Sequence, residues 1–476
     1  LVNYSNQSKK RQAKPQLALK KLPKRRKRHW FWWVSGFAGI AVLSAMAGAL
    51  LAVTLVSTPL MQRRLSAKEA AVFTKGDRIS TSSNLKLPEL TRPVNILLLG
   101  TKVLTTDLEN PPSELANLPY QALVNSFDGL TDTMLLLRFD PDSKKLVALS
   151  IPRDTRTYIP GFSVTKINAA SKLGGPALSA RAVSELLNGV GIERYVTINV
   201  QGVQALVDAL GGVSVFIPKD MKYQDDSQHL YINLKAGRQH LNGDQALQLL
   251  RFRYDANGDI GRIQRQQMVM RALIEQALNP KNLTRIPKIL SVIQSYVDTN
   301  LSVEELVALV GFTAKMERSD VQMLMVPGDF SEAGAYDASY WLPNPDRIQT
   351  MMAQYFDLGY SSTQQNDPEF LRVAIQDSTH QANAALELID SLEKAGYNNV
   401  AIAEPYSEPL KTTRIVAQQG DVESAKAIRG ALGFGEVRTE TTGDLSSDVT
   451  IQLGQDWLQS YKQGVSRDAI NRVSTD

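Results

Sequence analysis

VNILLLG, at Val94–Gly100, is an apolar run of strand length that ends in glycine. Two similar runs follow it, Met134–Phe139 (MLLLRF) and Lys145–Ile151 (KLVALSI), joined by the turn residues Asp140-Pro141-Asp142-Ser143. Ala177–Asn188 then carries helical spacing. Tyr195–Val200 reads as a strand, and Val203–Leu210 as a helix stopped by Gly211-Gly212 before a strand at Val213–Ile217. Helical patterns return at Gly243–Leu250 and Gly261–Leu278. Strands that alternate with helices predict a three-layer α/β/α core over residues 93–357.

Downstream, the polar stretch Ser361–Pro368 (SSTQQNDP) marks a linker over residues 358–369, and the pattern restarts after it. Strands at Leu371–Ile375, Val400–Ala403, Thr413–Ala417 and Val449–Leu453, with helices at Asn383–Ala395 and Val422–Leu432, predict a small α+β domain over 370–455. Its β-α-β-β-α-β order suits a ferredoxin-like or swapped-hairpin unit. Residues 456–476 form a polar tail. Upstream, residues 61–92 read as a polar connector, interrupted by Ser80-Thr81-Ser82-Ser83-Asn84 and closed by Pro88 and Pro93.

The N-terminal segment has its own logic. Residues 1–28 hold eleven Lys and Arg and no Asp or Glu, and Trp30–Met61 holds no charge at all. A bilayer core takes about 20 apolar residues in a helix, and residues 30–60 exceed that. Trp30, Trp32 and Trp33 sit where aromatic side chains favour the headgroup interface. The basic residues 1–29 then mark a cytoplasmic tail, with the rest of the chain outside the membrane. The tail and the apolar run are both longer than a cleavable signal peptide needs, so a retained single-pass anchor is expected.

That tail also explains the formal charge of +5. Of 53 Lys and Arg, the 42 outside it face 48 Asp and Glu, so the body of the protein is mildly acidic. The positive balance is therefore a topology signal and no argument for nucleic acid as a partner. Cysteine is absent, which excludes disulfides, thiol catalysis and cysteine-ligated metals. Four scattered histidines argue against a His-rich metal centre. At 476 residues, two or three domains are expected.

Two clusters are denser in arginine than a bland surface needs. One is Ser150-Ile151-Pro152-Arg153-Asp154, followed by Lys166-Ile167-Asn168. The other runs from Arg251 through Arg253, Asp255, Asp259 and Arg262 to Arg265 and Gln266, around a glycine-bearing turn into a helix. Arg262, Arg265 and Gln266 fall at i, i+3 and i+4, on one helical face. Planar guanidinium forks suit phosphate oxygens. A solvated basic helix face, with Asp255 and Asp259 as ion-pair partners, accounts for the same spacing. Other signals are weaker. Ser163-Val164-Thr165-Lys166 matches S-x-x-K without its companion motifs. Gly174-Gly175 is too sparse for a nucleotide loop, and there is no Walker A or G-x-G-x-x-G sequence. Asp225-Asp226 reads as an acidic surface loop.

The order VNILLLG, DTMLLLRFDP, LSIPRD, IPG, KINAA, YVTINVQGVQALVDALGGVSVFIP, LNGDQALQLLRFR and GDIGRIQRQQ resembles the LytR–CpsA–Psr family. Residues 370–455, ending in DVTIQLG, resemble the LytR C-terminal domain, with Gln376-Asp377 standing where that domain usually has Asn-Gly. The resemblance implies a membrane-anchored, extracytoplasmic phosphotransferase in the cell envelope. It would move a glycopolymer from a polyprenyl-pyrophosphate carrier to a peptidoglycan acceptor, with pyrophosphatase activity on the lipid as a side reaction. It also implies the site. Arg153, Lys166, Arg251, Arg253, Arg262, Arg265 and Gln266 match positions that bind the pyrophosphate. Asp259 matches the aspartate beside them, and Asp132 the aspartate associated with Mg²⁺ or Mn²⁺. Asp132, Arg153, Asp259 and Arg262 are the expected catalytic set, with Asp154 orienting Arg153. VNILLLG and YVTINV would supply walls for the isoprenoid tail. The other reading is an envelope protein that binds lipid-linked glycans without turning them over.

Two departures bear on the metal. The family pattern NILLLG-x-D here reads Thr101-Lys102, and Leu130 stands where an arginine is usual before DTM. An ammonium in place of a carboxylate weakens a Mg²⁺ site. Lys102 is therefore expected to contact the pyrophosphate directly, unless Asp107 or Asp128 completes the metal site.

Overall fold

The first strand of the central sheet, β1 (Val94–Lys102), pairs antiparallel with β2 (Leu130–Asp140), and β2 with β3 (Lys145–Ile151). On the other side β1 runs parallel to β4 (Arg194–Asn199), which β5 (Val297–Thr299) closes. Beyond β3 the sheet ends in the parallel strand β6 (Val321–Met325), giving the order β5-β4-β1-β2-β3-β6. This computed structural model describes residues 64–73, 78–81, 88–102, 129–226, 230–252, 258–279, 285–332, 334–359, 368–418 and 420–457. The expected basic tail 1–29 and membrane helix 30–60 lie outside them. Among the described residues no helix is long and apolar enough to cross a membrane.

The sheet is buried on both faces because its strands are apolar at odd and even positions alike. Leu97 and Leu99 of β1, Met134 and Leu136 of β2, and Val147 and Leu149 of β3 face one way. They pack against helices α1 (Ala169–Leu186) and, further on, Pro345–Phe356. Val94, Ile96, Phe139, Leu146, Val321 and Met323 face the other way, against α-helical residues of 258–313. Each fully buried Leu or Ile contributes roughly 1.5–3 kcal/mol. The helices complete the three layers: α2 (Val200–Leu210), α3 (Gly243–Arg251), α4 (Gly258–Ala277), α5 (Ile286–Tyr296), α6 (Val303–Thr313) and α7 (Pro345–Phe356). Asn199, Asn242, Ser302 and Asn344 cap α2, α3, α6 and α7 by accepting from backbone N–H groups. Helix α1 begins earlier than its spacing predicts and kinks at Gly174-Gly175 before Pro176.

The stretch expected as a connector is partly core. Phe73 and Ile79 are buried, and the Phe73 ring lies 5.0 Å from that of Tyr195.

The C-terminal unit departs from the ferredoxin-like expectation. Its sheet has five strands: β7 (Val373–Asp377), β8 (Val400–Ile402), β9 (Arg414–Ala417), β10 (Glu436–Arg438) and β11 (Val449–Leu453). They are ordered β8-β7-β11-β9-β10, and only the β9–β11 pair is antiparallel. Two parallel β-α-β crossovers, through α8 (Ala384–Lys394) and α9 (Val422–Leu432), flank β11. Both helices cover one face, where Val373, Ile375, Ile415, Ala417, Val449 and Ile451 form the core. The alternate residues Gln376, Arg414, Thr450 and Gln452 form a polar second face, and Thr450 and Gln452 are fully buried. This face lies toward the first domain. The backbone N–H of Met323 in β6 donates to the Thr439 carbonyl at 2.9 Å, so the C-terminal unit covers the exposed edge of the central sheet.

Candidate active site

The site begins with an irregularity in the ladder. Gly100 pairs with Thr133 and Thr101 with Thr131, so Asp132 is an extra residue in β2 with no partner opposite. Such a bulge re-aims one side chain out of the sheet's alternation. Gly100 leaves room beside it: a Cβ there would come within 3.2 Å of the Thr133 Cβ, a tight contact. Because β2 and β3 are antiparallel with Met134 opposite Ile151, Asp132 lies beside the chain that leaves β3.

That chain is Pro152-Arg153-Asp154, and it is tied down by its backbone. Thr155 N–H donates to the Pro152 carbonyl at 3.0 Å, Asn168 N–H to Arg153 at 3.2 Å, and Trp341 N–H to Asp154 at 3.0 Å. The side chains then converge. Arg153 donates to Asp132 and, from Nε, to Asp154 at 3.2 Å. Lys166 Nζ reaches the other oxygen of Asp154 at 2.8 Å, and Arg262 Nη2 of α4 reaches Asp154 at 3.0 Å. Gln266, one turn on, donates to the Asp132 carbonyl at 3.2 Å. The Lys166 ammonium also stands 5.5 Å from the centre of the Tyr340 ring.

Electrostatics sort these groups by task. Burial works against the Asp154 carboxylate, but Arg153, Lys166 and Arg262 outweigh it and hold its carboxyl below the usual range. Burial likewise opposes the Arg153 charge, and Asp132 with Asp154 more than restores it. Asp154 is therefore locked as an anion that organises three cations. Asp132 is more open, with its side chain 28% exposed against 14% for Asp154. Among the described residues, three cations face two carboxylates here. The pocket floor is apolar, with Met134, Leu135, Ile263, Met270, Phe330 and Trp341. Gln267 lines it too, and its buried side-chain oxygen has no hydrogen-bond partner among the described residues, an acceptor open to a ligand hydroxyl.

The structure thus brings together Asp132, Arg153, Lys166, Arg262 and Gln266. It directs Arg265 elsewhere. The Arg265 guanidinium donates to the Phe252 carbonyl at 2.6 Å, lies 5.4 Å from that ring, and lines a second cleft on the far side of α4. Three positions forward in a helix is about 60° short of a full turn, so Arg262 and Arg265 do not point the same way. Arg251 is the last residue of α3, half-buried, immediately before the same Phe252. Arg253 and Asp255 lie outside the described residues, as do Asp107, Asp128 and the side chains of Lys102 and Asp259. Lys102 does occupy the cross-strand place opposite Leu130, so the two departures from the family pattern are neighbours. The residues expected to wall an isoprenoid, Leu97, Leu99 and Tyr195, are packed into the core instead.

Sequence reading missed Gln267, Phe330, Tyr340 and Trp341, and it missed the C-terminal unit's share of the pocket. Thr441 of the C-terminal unit lines the pocket, and Leu445 packs with Ile263, Met325 and Trp341 beneath it. Nothing local in either residue announces this, since the contact is made by the docking of one unit on the other.

Among the described residues no cluster of three acidic or histidine side chains could cage a metal ion. Mg²⁺ is commonly held by one or two carboxylates together with substrate phosphates and water, and Asp132 fits that part of the donor set.

Comparison with known proteins adds the following. The model described as the LytR_cpsA_psr family matches residues 60–356, and that described as LytR cell envelope-related transcriptional attenuator matches 371–457. A polyisoprenyl-teichoic acid–peptidoglycan teichoic acid transferase, TagU of Bacillus cereus, is 32% identical over 67% of this chain and 93% of its own length. TagV of Bacillus subtilis, named for the same activity, is 32% identical over 48% of this chain and 60% of its own. The regulatory protein MsrR of Staphylococcus aureus is 35% identical over 36% of this chain and 51% of its own. The chain thus spans less than two thirds of the length of the last two relatives. A crystal structure of B. subtilis TagV aligns with a TM-score of 0.46 at 28% identity, covering 56% of this chain and 98% of that one.

Proposed function

The chain belongs to the LytR–CpsA–Psr family, and from that premise we propose that it transfers a glycopolymer from a polyprenyl-pyrophosphate carrier to peptidoglycan at the outer face of the cytoplasmic membrane. The observation that carries the reading is the convergence of Arg153, Lys166 and Arg262 on Asp154, at a pocket with an apolar floor. Phosphoryl transfer needs charge neutralisation and in-line placement more than it needs a protein nucleophile. The family's named relatives, TagU and TagV, are transferases onto peptidoglycan.

In this reaction a sugar hydroxyl of the acceptor attacks the phosphorus that carries the glycan. The bond to the bridging oxygen breaks, and polyprenyl phosphate leaves with that oxygen. The hydroxyl proton passes to water. Arg262 and Lys166 would take up the charge that grows on the phosphoryl oxygens, and Arg153, held by Asp132 and Asp154, would keep the pyrophosphate in register. Arg251 and Arg253 complete the expected pyrophosphate set, with Asp259 beside them. Water in place of the sugar hydroxyl gives the pyrophosphatase reaction. Asp132 would hold a divalent cation when one is bound, and the ion would add positive charge at the phosphates. Residues 30–60 would anchor the protein beside its lipid substrate.

The test is turnover of a polyprenyl-pyrophosphate glycan by the purified protein. Arg253→Ala combined with Arg262→Ala is expected to abolish transfer and hydrolysis with folding intact. Full activity in the double variant would put the pocket elsewhere. Binding without turnover is the second reading, favoured by Lys102 and Leu130 in the places of an acid and a base. An active wild type with strict Mg²⁺ dependence, unchanged in Lys102→Asp, would remove any role for Lys102 as a substitute cation.

A further inference from the structure

Helix α4 has two working sides. Arg262, Gln266 and Gln267 face the candidate active site, whereas Arg265 and Arg271 face a separate cleft of about 310 Å³ between the first domain and the polar face of the C-terminal sheet. Five Lys and Arg side chains line this cleft against three Glu. Two of these cations pair with carboxylates among the described residues. Arg238 pairs with Glu408, and Arg271 pairs with Glu275 at 3.1 Å and with the buried Glu440 at 3.4 Å.

Arg414 of β9 is different. It is half-buried, and among the described residues no carboxylate lies within ion-pair distance of it. Among the described residues, its side chain hydrogen-bonds to the Tyr406 hydroxyl at 3.3 Å, with that ring 6.0 Å away. Burial, Arg438 and Arg271 all press against its charge, and Glu440 and Tyr406 only partly offset them. A guanidinium in such a place lacks a counter-charge that a ligand can supply. The rest of the lining suits a sugar chain: Gln264, Gln376 and Thr442 present amide and hydroxyl groups beside the Tyr406 ring.

We propose that this interdomain cleft is a second binding site, one that holds a phosphate-bearing segment of a glycan chain with Arg414 as its anion contact. A guanidinium donates to phosphate oxygens, and among the described residues no carboxylate is paired with Arg414 to take their place. The anion site stands on the cleft alone; that its occupant is the polymer under transfer rests on the proposed transferase reading.

The experiment is calorimetric titration of the full chain with a synthetic glycerol-phosphate hexamer, and with an uncharged glycan of equal length. The hexamer is expected to bind and the uncharged glycan to bind at least about tenfold more weakly. Arg414→Gln should weaken hexamer binding by at least about tenfold, and Arg414→Lys should retain most of it. Turnover of a short pyrophosphate lipid without a phosphodiester chain should be the same in Arg414→Gln and wild type. Equal hexamer affinity in wild type and Arg414→Gln, or loss in Arg262→Ala instead, would overturn the site. Loss in both Arg414→Gln and Arg414→Lys, with both folded, would overturn the charge argument. A wild type that binds the hexamer through Arg414 yet turns over no lipid would sustain the cleft and sink the transferase.

Discussion

At the scale of single residues, Asp154 matters more for what it gathers than for what it reacts with. Three cations reach it, and none of the three would stay close to the others without it. Asp154→Ala should cost about 3 kcal/mol in urea unfolding, the usual price of leaving a buried charge network unbalanced. Its folded carboxyl is depressed, so its stabilisation is complete above the unfolded-state pKa, near 3.9, and is lost as pH falls through the lower folded value. Unfolding free energy measured from pH 7 downward should therefore drop across that acid range in the wild type, and drop less in Asp154→Asn. An equal slope in both would show that Asp154 is not linked to folding. Under the proposed reaction, Arg262→Ala should lower kcat/KM by about a hundredfold or more, because the lost charge would face the phosphate and leaves Asp154 with one cation fewer.

These residues were legible in the sequence for a physical reason. Arg153 with Asp154, and Arg262 with Gln266, are each close in the chain, and a strand end or a helix turn is enough to aim them. Arg265 was not legible in the same way. It shares a helix face with Arg262 only coarsely, and which side of α4 it serves is decided by Phe252, whose carbonyl receives it. The bulge at Asp132 left no trace in the sequence either, since DTM reads as ordinary strand.

At the scale of elements, α4 is the part that joins everything. Its first turns carry Arg262 and Gln266 into the pocket, and its middle carries Arg271 to Glu440. Glu440 is 1% exposed and is also met by Arg318 and, at 3.7 Å, by Arg438. Burial opposes its charge, yet the arginines hold its carboxyl low. Glu440→Gln should cost about 3–5 kcal/mol, the penalty for removing one partner from a buried ion cluster. If the cluster fixes α4, pocket function should fall along with stability, and hydrogen exchange should rise in both α4 and β10. Exchange confined to β10 would limit Glu440 to holding the strand that precedes it. Strand β10 itself was hard to foresee. Glu436-Val437-Arg438 is three residues long, lies between glycines and polar residues, and is too short for its alternation to mark a strand. Such a strand is fixed by pairing with β9, not by propensity.

At the scale of the whole molecule, the two units are bound into one working body by a surface that is polar and buried. Arg347 reaches Asp448 at 2.9 Å, Tyr355 donates to the Gly420 carbonyl, and Met323 bonds Thr439 along the edge of β6. A domain that only extended the chain would need none of this. Removing residues 371–476 should therefore do more than shorten the protein. It would uncover the edge of β6, strip Thr441 and Leu445 from the pocket, and leave Arg271 and Arg318 without Glu440. The expected outcome is association through the open sheet edge, seen as early elution by size-exclusion chromatography, together with loss of lipid turnover. A truncated protein that stays monomeric and retains full activity would show that the C-terminal unit is a passenger, because an edge already closed and a pocket already complete would have no use for it.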